Sequence, residues 1–131
     1  MSVFVDTSAF YALLDADDAS HRAAAATWER LLRADEPLVT SNCVLVETTA
    51  LVQRRLGLKA VRKFVDAIAE LVDVLWIDEA SHAAALSAVL AANRRDLSLV
   101  DCTSFALMRG EGLSRAFAFD DDFRVQGFDP A

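Results

Sequence analysis

Four acidic residues in this chain stand where a carboxylate could do chemistry: Asp6, Glu47, Asp101 and Asp120. Asp6 directly follows the apolar run Val3-Phe4-Val5, and Asp120 follows Ala116-Phe117-Ala118-Phe119. For Asp6 the alternative is a helix N-cap, which Thr7 or Ser8 could supply equally well. For Asp120 it is a turn acid reinforced by Asp121 and Asp122. Glu47 lies inside the most apolar helical stretch, residues 43–52, on a stripe shared with Cys43 and Leu51. A carboxylate on or beside a buried face is normally paired or metal-bound, yet no Lys or Arg occurs from position 37 to 53. Asp101 completes the capping-box pattern Ser98-Leu99-Val100-Asp101. It therefore reads as a cap, a ligand, or both.

Carboxylates gathered at one place raise one another's pKa and cost stability, and a cation removes that cost. An all-oxygen donor set suits Mg²⁺, with Mn²⁺ as a substitute, rather than zinc. The only histidines, His21 and His82, fall in helical segments near acids and read as solvated helix residues rather than general bases. The only cysteines, Cys43 and Cys102, have no metal-ligand spacing and no nearby His to activate them. They read as fillers of small buried spaces in a reduced protein. What remains is metal-activated water, the chemistry of phosphodiester hydrolysis.

These acids need a frame. Val3-Phe4-Val5, Leu38-Val39-Thr40, Val74-Leu75-Trp76-Ile77 and Ala116-Phe117-Ala118-Phe119 are too short for helices and do not alternate, as in parallel strands covered on both faces. Between them, Val61, Phe64, Val65, Ile68, Leu71 and Val72 recur with the spacing of one amphipathic helix. Ala24, Trp28, Leu31 and Leu32 form a second stripe after the candidate N-cap Ser20. Leu86, Val89 and Leu90 form a third. Gly57 reads as a helix stop, and Gly110 and Gly112 close the last long helix. Two helices fall between the third and fourth strands. The expectation is an α/β fold, a three-layer α/β/α sandwich with a mainly parallel sheet of four to five strands, forming one domain over residues 1–131. Ligands in such sheets bind beyond the carboxyl ends of the strands, where Asp6 and Asp120 are expected.

The net charge of −7, from 20 acidic and 13 basic residues, argues against a nucleic-acid partner when taken alone. Two divalent cations would bring it to −3, so charge discriminates poorly. Arg54, Arg55, Lys59, Arg62 and Lys63 form the main basic cluster. It reads either as a phosphate-contacting surface or as a solvated face mixed with Asp66 and Glu70. No apolar run approaches the roughly 20 residues of a membrane span, and the start lacks a basic, uninterrupted secretory signal. A cytoplasmic protein without a membrane partner is expected.

The pieces around these acids resemble the PIN-domain nucleases, and specifically the VapC-type toxins of toxin–antitoxin pairs. The matching pieces run in the family's order: Asp6-Thr7-Ser8-Ala9-Phe10, residues 41–47 ending on Glu47, residues 97–108 around Asp101, and Ala118-Phe119-Asp120-Asp121-Asp122-Phe123. Residues 18–24 also resemble the family's second-helix start. The resemblance implies that Asp6, Glu47, Asp101 and Asp120 are metal-binding catalytic carboxylates. It implies accessory roles for Thr7, Ser8, Ser104 and Asp122 in positioning water or a second metal. Cleavage of single-stranded RNA, a homodimer, and a small antitoxin protein that covers the site follow from the same resemblance. Phe10, Tyr11, Leu14 and Trp28 are the candidate groove residues for that antitoxin.

Two other α/β enzymes or modules place an acid after the first strand. An aspartyl-phosphate phosphatase needs a second acid two residues on, where this chain has Ser8. A receiver-type signalling domain needs an acidic pair at that point, an acceptor Asp after the third strand, and a later Lys. Asp78 could be the acceptor, but Asp6 stands alone and no Lys follows Lys63.

Overall fold

The computed structural model describes residues 2–131. Five short strands form one sheet, all pairs parallel, in the order β3-β2-β1-β4-β5. They are β1 (Val3–Val5), β2 (Leu38–Ser41), β3 (Asp73–Leu75), β4 (Arg115–Phe117) and β5 (Asp129–Pro130). The helices are α1 (Thr7–Leu14), α2 (His21–Arg33), α3 (Asn42–Leu56), α4 (Leu58–Lys63), α5 (Glu79–Ala92), α6 (Leu99–Gly110) and α7 (Asp122–Val125). Right-handed crossovers put the helices before β3 on one face and α5 and α6 on the other, which gives the expected α/β/α sandwich. Among the described residues, no helix is long and apolar enough to cross a membrane.

Burial follows strand position. β1 and β2 are buried at every residue, as expected of central parallel strands. β3 is an edge strand and only half buried, and it ends at Leu75, which leaves Trp76 three-quarters exposed. The two edges are short and carry Asp73 and the Asp129–Pro130 pair, and a charge or a proline on an edge discourages pairing with other chains. β4 also stops early, at Phe117, so Asp120 lies three residues beyond the strand rather than directly at its end. Phe4, Phe105, Phe123 and Phe128 pack ring against ring under β4 and β5. On the opposite face, Phe10 meets Phe64 edge-on at 5.1 Å.

The single helix expected over residues 61–72 is instead broken into three windings. After α4 the chain makes a π-type turn (Phe64–Ile68) and then a 3₁₀ turn (Ala69–Leu71). The wider turn slows the rotation of side chains, so burial falls on Phe64, Ile68 and Val72, at intervals of four, while Val65 and Leu71 face solvent. The third stripe is also displaced: α5 buries Ala85, whereas Leu86 and Leu90 are exposed. Ser20 does precede α2, but its side chain makes no capping bond. Gly57 ends α3 at φ 91° and ψ 177°, and Gly112 at φ 68° lets the chain leave α6. Both stops are where the sequence places them.

Candidate active site

Strand order fixes where the site can be. From β1 the chain steps outward to β2 and β3, then returns to place β4 on the other side of β1. The reversal lies between β1 and β4, and an open parallel sheet opens a crevice at that point beyond the strand ends. Asp6 leaves β1 there, its amide donating to the Phe117 carbonyl at 3.0 Å across the reversal. The receiver-type alternative requires β3 beside β1, and this order rules it out. Asp78 is simply the exposed N-cap of α5, accepting from the Ser81 amide at 2.8 Å.

Each of the four acids reaches the crevice by a different route. Asp6 is the N-cap of α1, and its Oδ2 accepts from the Ser8 amide (3.1 Å) and the Ser8 hydroxyl (2.7 Å). The Ser8 hydroxyl also accepts the Phe119 amide at 2.9 Å, which ties the loop after β4 to the end of β1. Glu47 lies on the second turn of α3, whose start is fixed because β2 ends on its N-cap, Ser41. Thr48, its neighbour, is buried and donates to Thr7 at 3.3 Å. Glu47 itself is half-buried, beside the buried face rather than on it, and has no ion pair among the described residues. Asp101 completes the expected capping box at the start of α6, accepting from the Ser98 amide at 3.4 Å while its own amide donates to the Ser98 hydroxyl at 3.0 Å. Asp120 accepts the Asp122 amide at 2.9 Å, closing a tight turn.

The four form one electrostatic neighbourhood. Burial raises Asp6 from 3.8 to about 6 despite three hydrogen bonds that favour its charged form, and the Glu47 charge adds to the rise. Asp101 rises to about 7, first from burial and then from the charges of Asp6 and Asp120. Oxygens of Asp101, Asp120 and Asp122 lie within 4.8 Å of one another. Asp122 thus stands as close to this cluster as Asp120 does, and Arg94 pairs with it at 3.3 Å from outside. Asp6 and Asp101 are both raised toward neutrality, and Asp101 also belongs to a triad spaced for a shared cation, which fits a hard divalent metal.

The remaining candidates divide. Thr7 and Ser8 are in the cluster's frame, but Ser104 is fully buried and its hydroxyl is spent on the Val100 carbonyl at 3.0 Å. Cys102 is buried, with its thiol pushed up by burial and by Asp101, which is the opposite of an activated nucleophile. Cys43 is only half-buried. His21 is not a solvated helix residue: its Nδ1 donates to the Ala12 carbonyl at 2.7 Å and ties α2 to the end of α1. Phe10 is wholly buried and belongs to the core rather than to a groove. Tyr11 remains accessible, its hydroxyl donating to Asp15 at 2.8 Å and its ring under Arg55.

A PIN-domain family model matches residues 3–128. The chain belongs to the PIN-domain family. Its sequence is 40% identical over 128 residues to the 23S rRNA-specific endonuclease VapC20 of Mycobacterium tuberculosis, covering 96% of this chain and 95% of that protein, which puts this PIN domain with the VapC-type members. The crystal structure of that toxin, described as cleaving the sarcin–ricin loop, superposes with a TM-score of 0.82 at 38% identity, covering 96% of this chain and 95% of that one. VapBC2 from Rickettsia felis shares the fold at a TM-score of 0.71 and 11% identity, covering 100% of this chain and 98% of that one.

Proposed function

We propose that this PIN domain is a metal-dependent endoribonuclease, with Asp6, Glu47, Asp101 and Asp120 as its metal-holding carboxylates and Asp122 as a further ligand. The observation that carries the reading is the convergence of these acids on the β1/β4 crevice, with Asp6 and Asp101 raised toward neutrality. None of these residues is a cysteine or a histidine: Cys102 is buried, His21 is held by the Ala12 carbonyl, and His82 lies exposed on α5. Bound Mg²⁺ or Mn²⁺ would supply activated water and charge neutralisation at a phosphate. Asp6 and Asp101 would give up their protons to hold it. Ser8 would hold the Asp6 carboxylate and the loop after β4 in register through its two hydrogen bonds.

The identity to a 23S rRNA-specific endonuclease supports an RNA substrate, and the likeness to a toxin structure supports the toxin role; an antitoxin partner and a cytoplasmic location are part of the same proposal. The identity also supports structured ribosomal RNA as the first substrate to try. Arg54, Arg55, Lys59, Arg62 and Lys63 are exposed along α3 and α4, and none forms an ion pair among the described residues. Arg55 lies eight residues, or about 12 Å along the helix, from Glu47. Arg55 rests over the Tyr11 ring but has no carboxylate partner among the described residues, so its charge is available to flanking phosphates. A homodimer is part of the same proposal, with sedimentation of the purified chain as its check.

The test is cleavage of 23S rRNA fragments by purified protein with Mg²⁺, with Mn²⁺, and with EDTA. Cleavage should require metal and fall at least 100-fold in Asp6→Asn and in Glu47→Gln, as is usual when a group that stabilises transition-state charge is lost. Undiminished cleavage by both variants would remove the carboxylate assignment.

A further inference from the structure

Beside Asp120 lies a cavity of about 290 Å³, walled by Phe119, Phe123, Phe128 and Asp129 as well as by Asp120 itself, with Arg124 at its lining. Phe123 and Phe128 are buried, but Phe119 is 39% exposed. Its ring meets Phe117 in an angled contact, 6.0 Å between centroids at 67°. Its backbone is not loose, because the Phe119 amide is held by Ser8, the residue that also holds Asp6. A large aromatic with an anchored backbone and a partly uncovered side chain thus stands next to Asp120, in the wall of the same cavity.

Building on the ribonuclease reading, we propose that this cavity is a nucleobase subsite, in which Phe119 stacks on an unpaired base of the RNA next to the phosphate held at Asp120. The cavity is smaller than the roughly 300–1,000 Å³ of sites for drug-sized ligands, so it suits one ring system. Unstacked RNA bases are commonly taken up on aromatic side chains. The polar side of the cavity is acidic, with Asp121 and Asp129 in its wall. Carboxylates accept from the exocyclic amino groups on base edges, which cytosine, adenine and guanine carry and uracil lacks, so these three fit better than uracil. Among the described residues Arg124 pairs with Asp121 alone, at 3.4 Å and with both side chains well exposed. So weak a pair leaves the guanidinium available to a neighbouring phosphate.

The experiment uses single-stranded oligoribonucleotides carrying 2-aminopurine at successive positions, with binding read in the cleavage-silent Asp101→Asn background and turnover read in the wild-type background. Stacking should quench the fluorophore at one position. Phe119→Leu, which keeps an apolar contact with Phe117 but lacks a ring face, should abolish that quench and weaken binding roughly tenfold. Phe119→Trp should retain both. In turnover, Phe119→Leu should raise KM with little change in kcat, whereas a purely structural role would lower kcat and melting temperature together. Wild-type quenching and affinity in Phe119→Leu would overturn the subsite while leaving the ribonuclease reading intact. So would an effect confined to dimerisation, seen by sedimentation. Failure of the wild-type protein to bind or cleave any RNA would overturn both.

Discussion

Replacing Asp101 by Asn should make the metal-free protein more stable while abolishing its activity. Burial and the charges of Asp6 and Asp120 lift the Asp101 carboxyl from 3.8 to about 7 in the folded state. Because the folded form holds the proton more tightly than the unfolded chain, stability is full below pH 4 and is lost as pH rises through about 7. At about 1.4 kcal/mol per pH unit, that rise corresponds to about 4 kcal/mol at pH 8, and to less than half of it at pH 5. Asp101 is only 9% exposed, but the crevice it faces is open, and solvent there reduces the expected effect to about 2 kcal/mol. An asparagine oxygen can still accept from the Ser98 amide, so the capping box survives; losing the charge near the helix start costs about 0.3–1 kcal/mol. In EDTA at pH 8 the variant should melt several degrees above the wild type, since 2 kcal/mol corresponds to about 7 °C at this size. At pH 5 the gap should shrink by half or more. Adding Mg²⁺ should raise the wild type and leave the variant in place. A variant that melts below the wild type at pH 8, or a gap independent of pH, would refute the idea that Asp101 is held under electrostatic strain.

Two further substitutions test the frame around the cluster. Ser8→Ala removes the hydroxyl that donates to Asp6 and accepts from Phe119; it should cost about 1–3 kcal/mol in urea unfolding and raise the Mg²⁺ concentration needed for half-maximal cleavage. Gly57→Ala should destabilise by about 1–3 kcal/mol without changing cleavage by the folded protein. A Cβ there would meet nothing within 4 Å, so the cost is backbone strain at φ 91° and not crowding.

The fold was legible wherever one element decides its own fate. Val3-Phe4-Val5 and Leu38-Val39-Thr40 read as buried strands and are, because central strands are covered on both faces regardless of what lies farther out. The edge strands read less well. The apolar run puts the third strand one to two residues late, because Trp76 and Ile77 continue it beyond the last paired residue, Leu75. β5 is two residues long and carries a proline, so it has no pattern of its own. It exists because β4 offers it a partner through Arg115 and Ala116. The π-type turn after Lys63 is likewise invisible in composition. Phe64, Val65 and Ile68 fit an ordinary helical stripe, and only packing of Phe64 on Phe10 selects which of them is buried.

Within the cluster, the alternatives weighed from sequence prove compatible with one another. Asp6 is an N-cap and also lies in the crevice, and Asp101 is a capping-box residue and also lies in the crevice. Caps sit at helix starts, and α1, which directly follows β1, starts at the carboxyl edge of the sheet, where ligands bind. α6 follows α5 rather than a strand, and its start is placed there by the closeness of Asp101 to Asp120. The helix start helps each acid by about 0.3–1 kcal/mol at an exposed site. Raising Asp6 from 3.8 to about 6 corresponds to about 3 kcal/mol, so burial and neighbouring charge outweigh the helix ends. Capping alone would therefore have been served better by Ser or Thr, as it is at Ser41 and Ser98. An acid that loses stability at its own cap needs another reason to be there. On the proposed reading, a divalent cation shared among Asp101, Asp120 and Asp122, with Asp6 and Glu47 beside them, would supply it.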